Sequence, residues 1–472
     1  MQNIKNNFII YILNILLLIF FCSFKSAWCL EDPLNSEKNI PLYNTIDYDK
    51  ECEALDFYGE NKSLNIFSAV NLALCNNPET KAAFFEIKKN AADYGAVKSN
   101  YLPSASISMY HNRSKTEPSD IENRNTGAEV SYEWLLFDFG KRKANNDKAY
   151  FLLLYSAFRH NRAVENIIYS TIETYCNLFS SKKEIQAAVS SEKAYKTAYE
   201  IAEEKYQLGI VRKSELLQAK TDYAKSSLIR LKAENANADC LGRLLKLLNI
   251  KQGTKIDIEK PEIINGLLIS DKKVAALIEK ALNNSADIKS YEALKKSYQA
   301  AKRGALRAGF PSISLYGGVG IEDSARQSEN IRNSNIGIKA SFPLFTGFYN
   351  TYNHKKAEYA EKKVELEKEE TENNAAYEAW SAYNNLKTAE KNYQVSKIMH
   401  ESALENKNLT LGMYKEGQSS MLEVLKAIAS YADAEKEAVM SEYNRIIAQA
   451  LLLKSVGALD LEALKIFNRK KE

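Results

Sequence analysis

The sequence has few of the residues that interrupt helices. It contains 8 prolines and 18 glycines among 472 residues, while Ala, Glu, Lys, Leu and Tyr are abundant. Because proline and glycine are the least favourable residues inside a helix, this composition predicts long uninterrupted helices. The few breakers should then mark the real turns of the chain.

Residues and motifs that carry out catalysis are also scarce. No glycine-rich phosphate loop or nucleophile motif occurs, and most Asp and Glu residues stand among lysines, as on solvated helix faces. The sequence therefore predicts no metal, no cofactor and no catalytic residue, and it argues against an enzyme. The 4 histidines lie far apart with no pair at metal-ligand spacing: His111, His160, His354 and His400.

No charge of one sign dominates the chain. The formal net charge is +4, and the acidic and basic residues are interspersed along the sequence. A protein that binds nucleic acid would show a basic patch or stripe instead. We therefore expect no nucleic-acid partner.

Only one long hydrophobic run occurs, from Phe8 to Phe21. It precedes the stretch Ser26-Ala27-Trp28-Cys29, so residues 1–29 are predicted to be a secretory signal peptide. An uncleaved anchor is the alternative, although the run is shorter than the ~20 residues that span a bilayer. Lipid attachment to Cys29 is disfavoured because bulky Trp28 precedes it. The rest of the chain has no stretch apolar enough for a membrane helix, so it could enter a membrane only as β-strands.

The chain repeats itself at a constant offset of 208 residues. The matching pairs include Ala73 and Ala281, Pro103 and Pro311, Phe137 and Phe345, Tyr206 and Tyr414, Gly209 and Gly417, and Glu215 and Glu423. This regularity predicts a tandem duplication with copies at 62–250 and 270–458. The other segments are an N-terminal extended segment at 30–61, a linker at 251–269 and a C-terminal tail at 459–472.

Each copy predicts two helices followed by two strands. The opening helix carries Phe67, Val70 and Leu74, and a second helix starts near Pro78 and stops before Pro103. The pattern then alternates between apolar and polar residues, as in a strand with two different faces. The predicted strands lie at about 103–112 and 126–136, and at about 311–320 and 335–344.

These strands have the character of membrane-spanning strands. Their length of about ten residues matches the 9–11 residues of a tilted transmembrane strand. Aromatic residues near one strand end, namely Tyr132, Trp134 and Phe342, resemble an interfacial girdle. A half-buried sheet on a soluble core is the alternative. We predict that the polar segments Asn112–Thr126 and Glu322–Ser334 connect the strands and face the cell exterior.

Long helices follow each strand pair. No proline or glycine lies between Lys141 and Leu208, so this helix can run about 100 Å. Two adjacent seams of mostly small residues, Ala188-Tyr195-Ala202 and Ala187-Ala194-Ile201, suit a helix with neighbours on both sides better than an ordinary two-stranded coiled coil. Gly209 and Gly417 should end the long helices, and the return helices should start near Ser214 and Ser420.

Four strands in one chain cannot form a closed sheet in lipid. The unpaired strand edges would lack hydrogen-bond partners, so several chains must share one barrel. Two chains would give a barrel filled by side chains, whereas three would give twelve strands around a lumen. We therefore predict a homotrimer whose lumen is lined by Glu129, Glu133 and Lys339.

Four short motifs recur in a fixed order and spacing along the chain: Ala73-Leu74-Cys75-Asn76-Asn77-Pro78, Tyr101-Leu102-Pro103-Ser104, Leu136-Phe137-Asp138-Phe139-Gly140 and Tyr206-Gln207-Leu208-Gly209. With these motifs the chain resembles the TolC family of outer-membrane efflux and secretion channels across the mature sequence. The resemblance implies a mainly α protein with membrane β-strands: antiparallel helical hairpins form a periplasmic α-barrel, and four strands per chain form a trimeric 12-stranded outer-membrane β-barrel. The second copy departs from the family pattern at Thr346-Gly347-Phe348.

The resemblance also implies a function and partners. The protein would be the passive exit duct of a tripartite efflux pump or a type I secretion system, with a periplasmic adaptor (membrane fusion) protein and an inner-membrane pump docked at the helix tips. A periplasmic coiled-coil adaptor or scaffold is the alternative, which the strand pairs argue against. The sequence does not name the cargo or the pump.

The resemblance further implies a gate at the tips, Tyr206–Glu215 and Tyr414–Glu423. By position, Tyr414 would hold the inner hairpin and Glu423 would form a carboxylate ring favouring cations, with the turns at Gly209 and Gly417. The family's second acid is Lys426 here, and its tip arginine is Ser419. Ser420 and Glu423 also have the spacing of a capping box, which alone can explain the glutamate.

Four cysteines remain in the mature chain. Export to an oxidising compartment permits disulfides. We predict a bridge between Cys52 and Cys75, because it would tie the segment around Cys52 to the first helix. Cys176 and Cys240 lie at the same level of the predicted hairpin, so a second bridge and two buried thiols are both open.

Overall fold

The computed structural model describes residues 32–40, 63–116, 121–261, 274–324 and 331–459. The predicted signal peptide and Cys52 lie outside these ranges. After a short 3₁₀ turn at Glu37–Asn39, the elements are α1 (Ile66–Asn76), α2 (Pro78–Ser99), β1 (Ser104–Thr116), β2 (Ile121–Phe137), α3 (Lys141–Gln207), α4 (Lys213–Leu247), α5 (Val274–Asn284), α6 (Ala286–Arg307), β3 (Ser312–Ser324), β4 (Ile331–Ser341), α7 (Tyr349–Lys415) and α8 (Met421–Ser455).

Each helix of the first repeat has a counterpart 208 residues later with the same length. The long helices α3 and α7 both have 67 residues, and α4 and α8 both have 35. The long helices end before Gly209 and Gly417, whose φ angles are +72° and +82°. Glycine adopts this left-handed conformation without the steric penalty of a side chain, so the predicted turns are where the sequence placed them.

The four strands form one antiparallel sheet in the order β1-β2-β3-β4. They have 13, 17, 13 and 11 residues, more than the ten predicted. Register pairs such as Asn112↔Asn125 and Lys115↔Glu122 continue the ladder into the segment Asn112–Thr126. The prediction that this whole segment is a loop is therefore wrong, because a polar stretch can pair as well as an apolar one. Residues 117–120 lie outside the described ranges.

Tyrosine rings lie over glycines at all three strand pairs of this sheet. A Cβ atom on Gly127 would lie 2.6 Å from the Tyr110 ring, and one on Gly337 would lie 2.8 Å from the Tyr316 ring. Tyr132 covers Gly317 in the same way on the pair β2 and β3. Such rings over glycines fix the register of neighbouring strands.

The junctions between strand and long helix use two consecutive residues with left-handed backbone. These are Phe139 and Gly140 in the first repeat, with φ of 54° and 85°, and Gly347 and Phe348 in the second, with φ of 60° and 63°. The sequence Thr346-Gly347-Phe348, which departs from the family pattern, therefore keeps the conformation and exchanges the order of glycine and phenylalanine.

The chain divides into two compact units, and each unit takes segments from both repeats. One unit comprises Met1–Leu42, Glu86–Ala157 and Glu292–Leu366. It contains the sheet and an apolar core with Ile87 and Leu153.

The other unit comprises Tyr43–Phe85, Phe158–Tyr291 and Glu367–Glu472. Its largest core includes Leu74, Ile168 and Ile446, with Tyr175 donating a hydrogen bond to the Leu64 carbonyl at 2.7 Å. None of the helices in the described ranges combines the length and the apolar character needed to cross a membrane.

The cysteines differ in state. Cys75 is disulfide-bonded, and its predicted partner Cys52 lies outside the described residues. Cys176 and Cys240 are free thiols, so the second bridge that the sequence left open is absent and the structure has the two thiols instead. Burial raises the pKa of the Cys176 thiol to about 12, which keeps it protonated and unreactive.

Candidate functional site

One face of the sheet carries the charged residues that the sequence assigned to a lumen. Glu129, Glu133 and Lys339 stand on the same face of neighbouring strands, because Glu129 pairs with Gly320 while Lys339 pairs with Ser314 on the same side of β3. All three side chains are exposed. Glu322 of β3 belongs to the same face, where it pairs with Gly127. Glu322 was predicted to begin a connecting segment, although the alternation that starts at Ser312 continues as far as Glu322 and could have assigned it to the strand.

The opposite face of the sheet is apolar and exposed. Its side chains would contact water in an isolated chain, which is unfavourable for a patch of this size. The exposed members are Ile107, Met109, Val130, Val319, Ile336 and Ile338. Exposed aromatic side chains also gather where the strands meet the helices: Trp134, Phe137, Phe139, Phe310, Phe342 and Phe345. This face therefore suits lipid, with aromatic residues at the boundary.

Two long helices also have unpartnered apolar stripes. On α4, Leu217, Leu228 and Leu231 are 52%, 53% and 52% exposed, and their successive spacings of eleven and three residues place them on one side of a helix. On α7, the residues Val395, Met399, Leu409 and Met413 form a similar exposed stripe. Both stripes are typical of helices that pack against a neighbour.

The ends of the two hairpins meet in an apolar cluster. Ala198, Ala202 and Ala219 of the first hairpin pack with Tyr414, Met421, Val424, Leu425 and Ile428 of the second. Tyr414 is only 3% exposed, and its hydroxyl has no hydrogen-bond partner among the described residues. Burial raises the pKa of this hydroxyl, and the charge of Glu215 adds to the effect.

Lys205 contacts Tyr414 across the two hairpins. Its Nζ donates a hydrogen bond of 2.6 Å to the Tyr414 carbonyl oxygen and lies 4.0 Å from the centre of the Tyr414 ring. Lys205 was not among the residues predicted from the sequence. The only local signal was a cation four residues before the turn at Gly209, which is common at helix ends.

Glu423 forms the capping box that its spacing from Ser420 allowed. The Ser420 hydroxyl accepts from the Glu423 main chain, while the Glu423 carboxylate accepts from the Ser420 main chain at 2.9 Å and from the Ser419 hydroxyl at 2.6 Å. The hydrogen bond from Ser419, followed by that from the Ser420 main chain, holds the pKa of Glu423 below its usual value. The exposed carboxylate is therefore ionised at neutral pH.

The tip of the first hairpin has fewer side-chain hydrogen bonds than the tip of the second. The return helix α4 begins at Lys213, within one residue of the predicted start near Ser214, and its N-cap Arg212 makes no side-chain capping bond. Glu215 lies in the first turn of this helix, and Tyr206 is half exposed in the last turn of α3. The structure thus brings Glu215 near Tyr414 but leaves Tyr206 at the surface.

A charged cavity of about 220 Å³ lies within the second compact unit. Arg162 lines this cavity, and its guanidinium is 2.9 Å from Asp287, 3.5 Å from Glu165 and 3.6 Å from Glu378. Burial raises the pKa of Glu165 to about 7 in spite of the attraction of Arg162. The described residues contain no cluster of His, Cys, Asp and Glu arranged to hold a metal ion.

Comparisons with known proteins agree with this geometry. The family model described as "Outer membrane efflux protein" matches residues 69–249 and 277–458. The relatives include Protein CyaE of Bordetella pertussis, 23% identical over 407 residues and covering 84% of each chain. Outer membrane protein TolC of Escherichia coli is 19% identical over 447 residues, covering 87% of this chain and 86% of that one.

Solved structures of outer-membrane channels have a similar fold. The CmeC outer membrane channel of Campylobacter jejuni superposes with a TM-score of 0.73 at 21% identity, covering 89% of this chain and 94% of that one. The agreement extends over nearly the full length of both chains. The predicted fold class is confirmed.

Proposed function

Because this chain belongs to the outer membrane efflux protein family, we propose that it works as a homotrimer in which three copies share one twelve-stranded barrel and one helical duct. The protein is an outer-membrane channel of an efflux or secretion system, with its helical part in the periplasm. Its family and fold are those of channels rather than enzymes. The channel is favoured over the periplasmic adaptor that the sequence left as the alternative.

The open edges of the sheet carry this proposal. In the described residues, β1 pairs only with β2 and β4 pairs only with β3, so each edge presents unpaired main-chain groups. Edges of this kind have no partners in lipid, whereas β4 of one copy can pair with β1 of the next. Three copies close the ring, the apolar face meets lipid, and the face with Glu129, Glu133 and Lys339 lines the lumen.

The apolar stripes on the helices support the same assembly. The stripe on α4 with Leu228 and Leu231 would pack against the stripe on α7 with Val395 and Leu409 of the next copy. If each copy turns its α4 stripe to one neighbour and its α7 stripe to the other, the contact is head-to-tail, and contacts of this kind form a ring when the rotation between copies closes. The two neighbours in the ring together cover both stripes and both edges of the sheet.

The trimer is tested by its mass in detergent and by a charge placed on the stripe. Light scattering of the purified protein should give three chains per particle. Leu231→Glu should lower the trimer fraction, since it places a carboxylate in an apolar contact. Ala236→Glu is the matched control, because this exposed position lies off the stripe on the same helix. A dimer, or equal effects of both variants, would contradict the assembly.

The helix tips are the proposed docking and closing end. A periplasmic adaptor and an inner-membrane pump would bind the tips, and the pump would select the cargo. A pore of this width must close at one end, and hairpins that turn at Gly209 and Gly417 can shift with little backbone strain. The apolar cluster around Val424 supports this closed arrangement, and three copies of Glu423 would form an anionic ring there.

Single-channel conductance in a planar bilayer tests the role of Glu423. Glu423→Gln removes the charge while glutamine can still fill the capping box. We expect lower cation selectivity and weaker block by divalent ions, with the fold unchanged. Selectivity and block equal to those of the wild type would show that the carboxylate only caps the helix.

A further inference from the structure

The last turn of α3 and the last turn of α7 are joined by one lysine. Lys205 belongs to the first repeat and Tyr414 to the second, and Nζ of Lys205 reaches both the carbonyl oxygen and the ring of Tyr414. The carbonyl oxygen also accepts the main-chain N–H of Gly417 at 3.1 Å. The same carbonyl oxygen thus links Lys205 to the turn of the second hairpin.

Both halves of this contact favour a cation. Carbonyl groups in the last turn of a helix lack intrahelical partners and carry the negative end of the helix dipole, so an ammonium group is stabilised there. The face of an aromatic ring attracts a cation as well, more strongly when water is partly excluded. Tyr414 is buried in the tip cluster, which provides that exclusion.

The Tyr414 hydroxyl takes no part in this contact. It is buried, and it has no hydrogen-bond partner in the part of the chain that the structure describes. The ring and the main chain of Tyr414 are held by Lys205, while the hydroxyl is held by nothing described. A phenylalanine at this position would keep both interactions.

We propose that Lys205 is the latch of the closed tips, and that it acts through the ring and carbonyl of Tyr414 instead of the Tyr414 hydroxyl. The inference rests on the proposed gate at the helix tips and names the residue that holds it. When the second hairpin moves away from the end of α3, Nζ of Lys205 loses both partners at once. Lys205 is a positioning residue: it sets the closed arrangement and does not contact the cargo.

The latch is tested by single-channel recording of the full-length protein in planar bilayers. Lys205→Met keeps the length of the side chain and removes the ammonium group, and we expect the open-to-closed ratio to rise roughly tenfold. Lys205→Arg, which retains a cation, should stay within about twofold of the wild type. Tyr414→Phe should leave the ratio unchanged.

A matched control separates the contact from the charge. Lys213→Met removes the same charge from the first turn of α4, where the side chain is exposed, and it should leave the ratio unchanged. Far-UV circular dichroism and native electrophoresis are recorded for every variant, so that only folded, assembled channels are compared.

A second variant separates failure of the latch from failure of the gate. Val424→Ala thins the apolar cluster at the same tips and should also favour the open state. If Val424→Ala opens the channel but Lys205→Met does not, the latch is overturned and the gate stands. If neither variant changes the ratio, the gate itself is overturned. An effect of Tyr414→Phe as large as that of Lys205→Met would assign the closed state to the hydroxyl and refute the latch.

Discussion

The two repeats have the same backbone fold, but their stabilising side-chain hydrogen bonds lie at opposite ends of the long helices. In the first repeat, the side chains of Asp138 and Arg142 clamp the junction between strand and helix. Asp138 accepts from the main-chain N–H of Gly140 at 3.1 Å and of Arg142 at 2.7 Å, while Arg142 donates to the carbonyls of Leu135 and Leu136 at the end of β2. The tip of this repeat has no side-chain cap.

The second repeat has the reverse arrangement. Ser420 and Glu423 cap its tip with reciprocal hydrogen bonds, whereas its junction has Thr346 and Asn350 at the positions equivalent to Asp138 and Arg142. These two side chains cannot form an ion pair. The first repeat therefore has its side-chain hydrogen bonds at the strand-helix junction, while the second repeat has them at its tip.

The clamp at the first junction should give the largest difference between the repeats. Arg142→Gln leaves the buried Asp138 carboxylate without its ion-pair partner, and we expect a loss of about 2–4 kcal/mol. Asn350→Gln, at the equivalent position of the second repeat, should cost less than about 1 kcal/mol. The melting temperatures of the purified variants, followed by circular dichroism, measure the difference. Equal losses of stability in the two variants would mean that side chains stabilise both junctions to the same extent.

Glu165 should make the stability of the first repeat depend on pH. Burial raises the pKa of Glu165 to about 7 from an ordinary 4.5, and Asn373 stands at the equivalent position. The folded chain therefore holds a proton that the unfolded chain has lost, so this stabilisation is complete below about pH 4.5 and is lost as the pH rises through about 7.

The variant Glu165→Gln isolates this contribution from other groups such as His160. The melting temperature of the wild type should fall relative to Glu165→Gln between pH 5 and pH 8, corresponding to roughly 2 kcal/mol. If the difference in melting temperature between the wild type and Glu165→Gln stays constant from pH 5 to pH 8, Glu165 is ionised throughout this range in the folded protein.

The exchanged glycines should differ in their tolerance of a side chain. Gly140 and Gly347 both have positive φ, so alanine at either costs about 1–2 kcal/mol. A Cβ on Gly140 would also lie 2.7 Å from the Arg307 guanidinium, whereas one on Gly347 would meet nothing within 4 Å. Gly140→Ala should therefore lower the melting temperature more than Gly347→Ala. The opposite order would place the tighter junction in the second repeat.

The helix caps at the tips should give the smallest effects. Ser420→Ala removes a capping bond and should cost about 1 kcal/mol. Arg212 has the extended backbone of an N-cap without a capping side chain, so Arg212→Ser should stabilise the first tip by about 0.5–1 kcal/mol. Hydrogen exchange of the amides in the first turns of α4 and α8 checks both changes. No added protection in Arg212→Ser would show that the first tip is limited by something other than its cap.

The parts of the fold that follow local patterns could be predicted from the sequence. The predicted helix from Lys141 to Leu208 ends within one residue of the observed Gln207, because the breakers are few and each acts locally. The capping box could be predicted from the spacing of Ser420 and Glu423 for the same reason. The strand ends could not, since polar residues such as Asn112 occur equally in loops and in paired strands.

Contacts between distant residues account for the rest. The contact of Lys205 with Tyr414 joins residues separated by 209 positions, and no periodicity reports such a meeting. The raised pKa of Glu165 depends likewise on burial, at a cavity lined by residues of α3, α6, α7 and α8. The roles predicted for Tyr414 and Glu423 in a gate remain predictions that the bilayer recordings address.

The tyrosines that cover glycines bear on the order in which the barrel is built. Each of the three joints lies between strands of one chain, at Tyr110, Tyr132 and Tyr316. A chain can thus settle the alignment of its own four strands before it meets another copy. In the proposed trimer, only the three seams between copies, out of twelve in the whole barrel, would then be left to align during insertion.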